Sequence, residues 1–279
     1  MAKILDGKLL AEKIRSKIKD RVATFKVQPG LAVILVGSDP ASHIYVGLKQ
    51  AACEEAGIHF EKFLYDETTS EQTILDKVEE LNQRTDVHAI LVQLPLPNQD
   101  ASTVIAAINP LKDVDGFHKE NLELMRQGKP SIASAVALGV VRLIRKAVGD
   151  SPLPPNATIV SSPLFAEPLV ILLEEQRVKV VVTQAEDPDL ASKTKSSEIL
   201  IVAEGEPGLI TGEMVKEGAV VIDVGTTKVD GKLLGDVDFD SVNPVAGALT
   251  PVPGGVGPMT VAMLLVNILK AQQLQSLDK

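Results

Sequence analysis

Leu31-Ala-Val-Ile-Leu-Val-Gly37 is an unbroken apolar run of strand length closed by a glycine, and its reading decides the fold. A strand with one wet face alternates polar and apolar residues. A continuous run is buried on both faces, as in a parallel sheet covered by helices. Upstream, Leu10, Ile14, Ile18, Val22 and Phe25 recur at helical spacing. Downstream, a Ser-Asp-Pro turn precedes a helix predicted over 41–56, and Ile58 to Tyr65 reads as a second strand. Thr69-Ser-Glu-Gln72 has the form of a capping box and opens a helix carrying Ile74, Val78 and Leu81. Val87 to Leu94 is another buried strand. Strand alternating with helix specifies an α/β unit with a parallel sheet.

A second alternating set follows the proline-rich segment Ser151-Pro-Leu-Pro-Pro155. Its strands are predicted at 157–161, 178–183, 198–203 and 219–224, with a helix between the first two, a Rossmann-like pattern. The chain closes with an apolar segment, Val261 to Leu269, predicted as part of a helix over 260–273. Just before it, residues 251–260 read Pro-Val-Pro-Gly-Gly-Val-Gly-Pro-Met-Thr. Prolines fix φ there, and glycines let the main chain approach a ligand closely.

Composition narrows the function classes. A net charge of −9, no basic cluster and 3% aromatic content argue against nucleic acid. The single cysteine, Cys53, cannot form an intramolecular disulfide and fits a reducing compartment; within Ala51-Ala-Cys-Glu-Glu55 it is expected as a small core residue. Asp6 and Glu12 interrupt the N-terminus, and no apolar run reaches bilayer length. The expected location is cytoplasmic, with no membrane partner.

Residues 251–260 and three earlier segments carry candidate chemistry. Tyr45 and Lys49 lie one helical turn apart in Tyr45-Val-Gly-Leu-Lys49. A lysine in a buried cleft can titrate near neutrality and move protons, with a tyrosine hydroxyl to orient it. Gln93 ends a buried strand, where open α/β sheets bind ligands, and Leu-Pro-Leu-Pro97 turns the chain there. Lys112-Asp-Val-Asp-Gly-Phe117 supplies Asp113 and Asp115, whose bland reading is an Asp-Gly turn. No metal is expected. The Asp-x-Asp has no third ligand nearby, and Asp236, Asp238 and Asp240 lack the glycine and final glutamate of a calcium loop.

In this order and spacing, the four segments resemble the methylenetetrahydrofolate dehydrogenase/cyclohydrolase family. The resemblance implies a folate-binding catalytic domain over 1–133 plus 256–279 and a Rossmann-like domain over 134–255, with the folate cleft between them. It implies Lys49, Tyr45 and Gln93 as catalytic residues. Asp115 would pair with the aminopyrimidine edge of the pterin, and Tyr45, Pro251, Pro253, Gly254 and Gly255 would complete the substrate site. A homodimer through the second domain is also implied.

The resemblance fails at the cofactor loops. The family reads approximately Gly-Arg-Ser-x-x-Val-Gly-x-Pro, where this chain has Val160-Ser-Ser-Pro-Leu-Phe-Ala-Glu-Pro168. Ser161 replaces the arginine that grips the extra phosphate of NADP, and only Ser162 and Pro168 survive. A His-Ser-x-Thr has become Gln184-Ala-Glu-Asp187, and a Val-Gly-Lys-Pro has become Glu204-Gly-Glu-Pro207. Gly225 remains, followed by Thr226 and Thr227 in place of Ile-Asn. Glu167, Glu186, Asp187, Glu204 and Glu206 thus face a polyanion, and the expectation is that no nicotinamide cofactor binds. The leading expectation is a cyclohydrolase, converting 5,10-methenyltetrahydrofolate to 10-formyltetrahydrofolate, that has lost the dehydrogenase step. Two alternatives stand beside it: a bifunctional NADP-dependent enzyme with a rebuilt loop, and a catalytically silent folate-binding or scaffold subunit.

Overall fold

The computed structural model describes residues 1–277. In chain order the elements begin with β1 (Lys3–Ile4), α1 (Gly7–Val22), β2 (Gly30–Val36), α2 (Pro40–Ala56), β3 (His59–Tyr65) and α3 (Glu71–Gln83). They continue with β4 (Ala89–Val92), α4 (Ala101–Ala107), α5 (Lys119–Arg126), α6 (Ala135–Val148), β5 (Asn156–Ser161) and α7 (Pro163–Glu175). Then come β6 (Lys179–Thr183), α8 (Leu190–Lys195), β7 (Ile199–Ala203), β8 (Val220–Asp223), β9 (Thr227–Val229) and β10 (Lys232–Leu234). The last three are α9 (Phe239–Val242), β11 (Ala248–Leu249) and α10 (Val256–Leu277). Both predicted α/β units are present, each with a parallel sheet.

The chain divides into two compact units, 1–11 with 136–260, and 12–135 with 261–279. The second of these holds the sheet β3-β2-β4, with β2 in the centre and all seven of its residues buried. That is the arrangement the unbroken run at 31–37 requires. Ile74, Val78 and Leu81 of α3 pack with Ile34, Ile90 and Val104 into its core. The cap of α3 differs from the expected capping box: Ser70, not Thr69, accepts the Thr73 N–H at 3.2 Å. Glu71 instead accepts the Asp100 N–H, tying the start of α4 to the start of α3.

The other unit holds a six-stranded parallel sheet in the order β1-β11-β8-β7-β5-β6. The strand order reverses around β5, which pairs with β6 on one side and β7 on the other. Residues 1–11, expected with the first domain, belong here because β1 pairs with β11, Lys3 opposite Ala248. The final helix begins at Val256 rather than 260, so the end of the glycine-proline segment is already helical. Among the described residues, no helix is long and apolar enough to cross a membrane.

Candidate active site

Helix α2 is fixed at both ends. Asp39 caps it through the N–H groups of Ala41 and Ser42, Pro40 supplies a preset φ at the first turn, and Gly57 closes it in the left-handed conformation. Its buried stripe runs Ser42, Val46, Lys49, Cys53 and Ala56. Lys49 therefore occupies a core position, 8% exposed. Burial pushes its amine well below the ordinary lysine value, while Asp115 and then Cys53 pull the other way. Cys53 is fully buried, and burial pushes its thiol up to about 12. It is inert packing, as expected.

Gln93 and Asp115 reach the same edge of the sheet for a reason visible in the register. The backbone at Asp113 forms a parallel bridge with Ile90, and the Ile90 N–H donates to Lys112 O at 2.8 Å. Residues 112–114 thus extend the sheet beyond β4. Gln93, just past the end of β4, and Asp115, just past the bridge, both leave at the C-terminal edge. Lys49 Nζ donates to Gln93 Oε1 at 2.9 Å, and Gln93 Nε2 donates to Leu94 O at 2.7 Å, so both ends of the amide are held. Asp115 is half-buried; desolvation raises its carboxyl above the usual range, and Lys49 opposes that shift. Tyr45 is half-buried on α2, and among the described hydrogen bonds it is Gln93, not Tyr45, that orients the amine.

The turn that presents Asp115 is cross-braced. The buried Asp113 carboxylate accepts the N–H groups of Gly116 (3.0 Å) and His118 (2.8 Å), a scaffolding task. Gly116 has φ of 75°, and a Cβ there would lie 2.4 Å from the Ala133 carbonyl carbon. Asn267 of α10 is wholly buried and donates to Val114 O at 2.9 Å and Ala133 O at 2.8 Å. One amide therefore joins the two segments that meet at Gly116. Sequence reasoning passed over Asn267, although an amide inside the apolar segment 261–269 was a readable signal.

The structure brings Lys49, Gln93 and Asp115 together in one unit, with Tyr45 on the same helix as Lys49. Pro251, Pro253, Gly254 and Gly255 belong to the other unit. There the loop packs on the start of α1: Lys8 N–H donates to Gly254 O at 3.0 Å, and a Cβ on Gly7 would fall 1.9 Å from Gly255 O. The glycines answer a close backbone approach.

At the expected cofactor positions, Ser161 is buried with its hydroxyl turned to Ser162 O, and Ser162 caps α7 by accepting the Phe165 N–H. Gly225 N–H donates to Asp223 Oδ1, and a Cβ there would lie 2.1 Å from the Asp236 carboxyl carbon. Asp236 accepts the N–H groups of Glu204 and Gly205, and Asp238 caps α9, so two of the three rejected calcium-loop aspartates have structural tasks. A pocket of about 540 Å³ opens at the C-terminal ends of β5 and β6, lined by Ser161, Thr183, Gln184, Glu186 and Asp187 among others.

The molecule carries less free negative charge here than a count of carboxylates suggests. Asp187 is ion-paired with Lys193 and accepts from Thr183 Oγ1 and the Asp189 N–H, which holds it down at about 2. Glu204 faces the Ala185 N–H, and burial raises it toward its neutral form. The helix α7 N-terminus, a favourable place for a pyrophosphate, stands beside this pocket, and the lining offers hydroxyl and carboxylate partners for a ribose. The residues fit a dinucleotide.

Comparisons with known proteins define the class. Residues 5–115 match the tetrahydrofolate dehydrogenase/cyclohydrolase catalytic domain, and residues 134–276 match the NAD(P)-binding domain of the same family. The chain belongs to the tetrahydrofolate dehydrogenase/cyclohydrolase family, enzymes of folate one-carbon metabolism. The bifunctional protein FolD of Bordetella avium is 46% identical over 278 residues, covering 98% of both chains. The crystal structure of the bifunctional FolD enzyme from Campylobacter jejuni superposes with a TM-score of 0.93 at 37% identity, over 99% of this chain and 100% of that one. The Trypanosoma brucei dehydrogenase-cyclohydrolase, complexed with NADP and an inhibitor, gives 0.92 at 33% identity, over 99% and 98%.

These matches overturn the expectation that no nicotinamide cofactor binds, and with it the doubt about the dehydrogenase step. The physical error lay in counting Asp187 and Glu204 as free charges.

Proposed function

We propose that this chain is a bifunctional enzyme that oxidises methylenetetrahydrofolate with a nicotinamide dinucleotide and hydrolyses the resulting methenyl cation to 10-formyltetrahydrofolate. The observation that carries the reading is the buried Lys49–Gln93 hydrogen bond beside Asp115 at a sheet's C-terminal edge. The bound dinucleotide supplies the hydride acceptor. The chain's own residues handle the folate and its protons. Asp115 accepts two N–H donors from the pterin's aminopyrimidine edge, a geometry that suits a carboxylate.

In the hydrolytic step, water adds to the methenyl carbon and Lys49 Nζ takes one of its protons, as an amine whose charged form is disfavoured by burial can. Gln93, whose own amide is anchored on Leu94 O, holds that amine in place. The bond from this carbon to N5 then breaks, N5 recovers the proton from Lys49, and the hydroxyl's remaining proton passes to bulk water as the C=O of the formyl group forms on N10. One proton is released overall, which balances the cation's lost charge, and Lys49 ends as it began.

The test is a pair of assays on the purified protein, dinucleotide-dependent oxidation of methylenetetrahydrofolate and hydrolysis of the methenyl form, beside Asp115→Ala. Both wild-type activities are expected. The variant should bind a folate analogue about 1–3 kcal/mol more weakly, the usual cost of stranding hydrogen-bonding groups. Absence of hydrolysis above the buffer background would remove the reading, and unchanged affinity would remove Asp115 from the site.

A homodimer through the six-stranded unit belongs to the same proposal. Its support is the outer strand β6, which leaves Val181 and Val182 exposed at the end of the sheet. Light scattering that returned a monomer mass at micromolar concentration would dismiss it.

A further inference from the structure

We propose that the dinucleotide this chain selects is NAD rather than NADP, and that Glu186 makes the choice at the C-terminal end of β6. The inference rests on the dehydrogenase reading above and adds the identity of its cofactor. In a doubly wound sheet the ligand lies beyond the C-terminal ends of the strands at the point where strand order reverses, here β5. The strand that follows the first helix addresses the adenosine ribose. A carboxylate at its end accepts the ribose hydroxyls of NAD, whereas NADP needs a cation there for its 2′-phosphate. In this chain that strand is β6, reached from β5 through α7.

The pocket at this edge is lined by Thr183, Gln184, Glu186 and Asp187, with Ser161 and Pro163 from the β5 side. No arginine or lysine is among the lining residues. The cation next to it, Lys193, is bound to Asp187, which also holds Thr183 Oγ1 and the Asp189 N–H. Releasing Lys193 to meet a phosphate would expose Asp187 to the same phosphate, so no net attraction is gained. Glu186 differs from Asp187: it is exposed at the pocket and has no described hydrogen bond or ion pair that occupies its carboxylate. A 2′-hydroxyl donates to such a group, and a dianionic 2′-phosphate in its place is repelled by it. Glu204, at the end of β7 on the far side of β5, supplies no cation either.

Calorimetric titration of the full chain with NAD and with NADP, at low and at physiological salt, tests the assignment without any turnover. NAD is expected to bind at least about tenfold tighter, with the gap narrowing as salt screens the repulsion. Glu186→Lys, an exposed substitution that leaves the Asp187–Lys193 pair intact, should weaken NAD and strengthen NADP, moving their ratio by about tenfold or more. Equal or tighter binding of NADP by wild type would overturn the inference while leaving the dehydrogenase reading in place. An unmoved ratio in the variant would overturn the role of Glu186. Failure of both nucleotides to bind would overturn the inference together with the dehydrogenase reading, and the oxidation assay would then be silent as well.

Discussion

Replacing Lys49 with methionine should reduce methenyl hydrolysis by about 10²–10⁴-fold, the usual contribution of a positioned acid or base, with most folate affinity retained. Methionine keeps the apolar stem that sits in the buried stripe of α2, so the helix still packs against its sheet. Stability gives an independent check on the same residue. Burial holds the Lys49 pKa in the folded state below the unfolded value of 10.5. Between the two values the unfolded chain binds a proton that the native state does not. Wild-type stability must therefore rise with pH across that window. Below the folded value both states carry the charge, and the native protein bears the full penalty of burying it. In Lys49→Met this rise should vanish, and the variant should be at least as stable as wild type at neutral pH. Hydrolysis at the wild-type rate, after subtraction of the enzyme-free reaction, would exclude Lys49 from the chemistry.

Gly116→Ala should be strongly destabilising. The position sits at φ of 75°, and the added carbon would lie 2.4 Å from both the Ala133 carbonyl carbon and the Ser134 nitrogen. Those neighbours are backbone, so no side chain can swing away. Left-handed strain of about 1–2 kcal/mol and an overlap of about 1–3 kcal/mol combine to about 2–5 kcal/mol. Relief requires parting the two segments that Asn267 holds together through Val114 O and Ala133 O. Asp115 moves with them, so folate affinity should fall along with the denaturation midpoint. A midpoint within about 0.5 kcal/mol of wild type would contradict the close approach described here.

Much of this was readable before any coordinates. The run up to Val36 became a strand, Gly30–Val36, buried along its whole length, because a central parallel strand needs no polar face. Lys49 was singled out by its one-turn spacing from Tyr45 and by the family resemblance, and the structure adds that it falls on the buried stripe of Ser42, Val46, Cys53 and Ala56. What escaped was non-local. The two-residue strands β1 and β11 have no pattern of their own and exist only because each pairs with the other. The hairpin of β9 and β10 and the role of Asn267 likewise depend on distant partners. Thr69 against Ser70 shows a subtler failure, since either residue satisfies the local rule and only the path of the chain selects one. The cofactor pocket misled for an electrostatic reason: sequence counts the charge of Asp187 but cannot see Lys193 neutralising it.

The long reach of Asn267 and of β1 bears on how such a chain emerges from a ribosome. Lys3 waits for Ala248, and Val114 waits for an amide 153 residues further on. Neither unit can complete its hydrogen bonds until the segments around Ala248 and Asn267 have been added. Closing so long a loop costs little more in free energy than closing a moderate one, because the entropy grows only logarithmically with length. The delay is one of time rather than of final stability. Throughout synthesis, a strand such as β1 must be kept from pairing with other chains while its own partner β11 is still being translated.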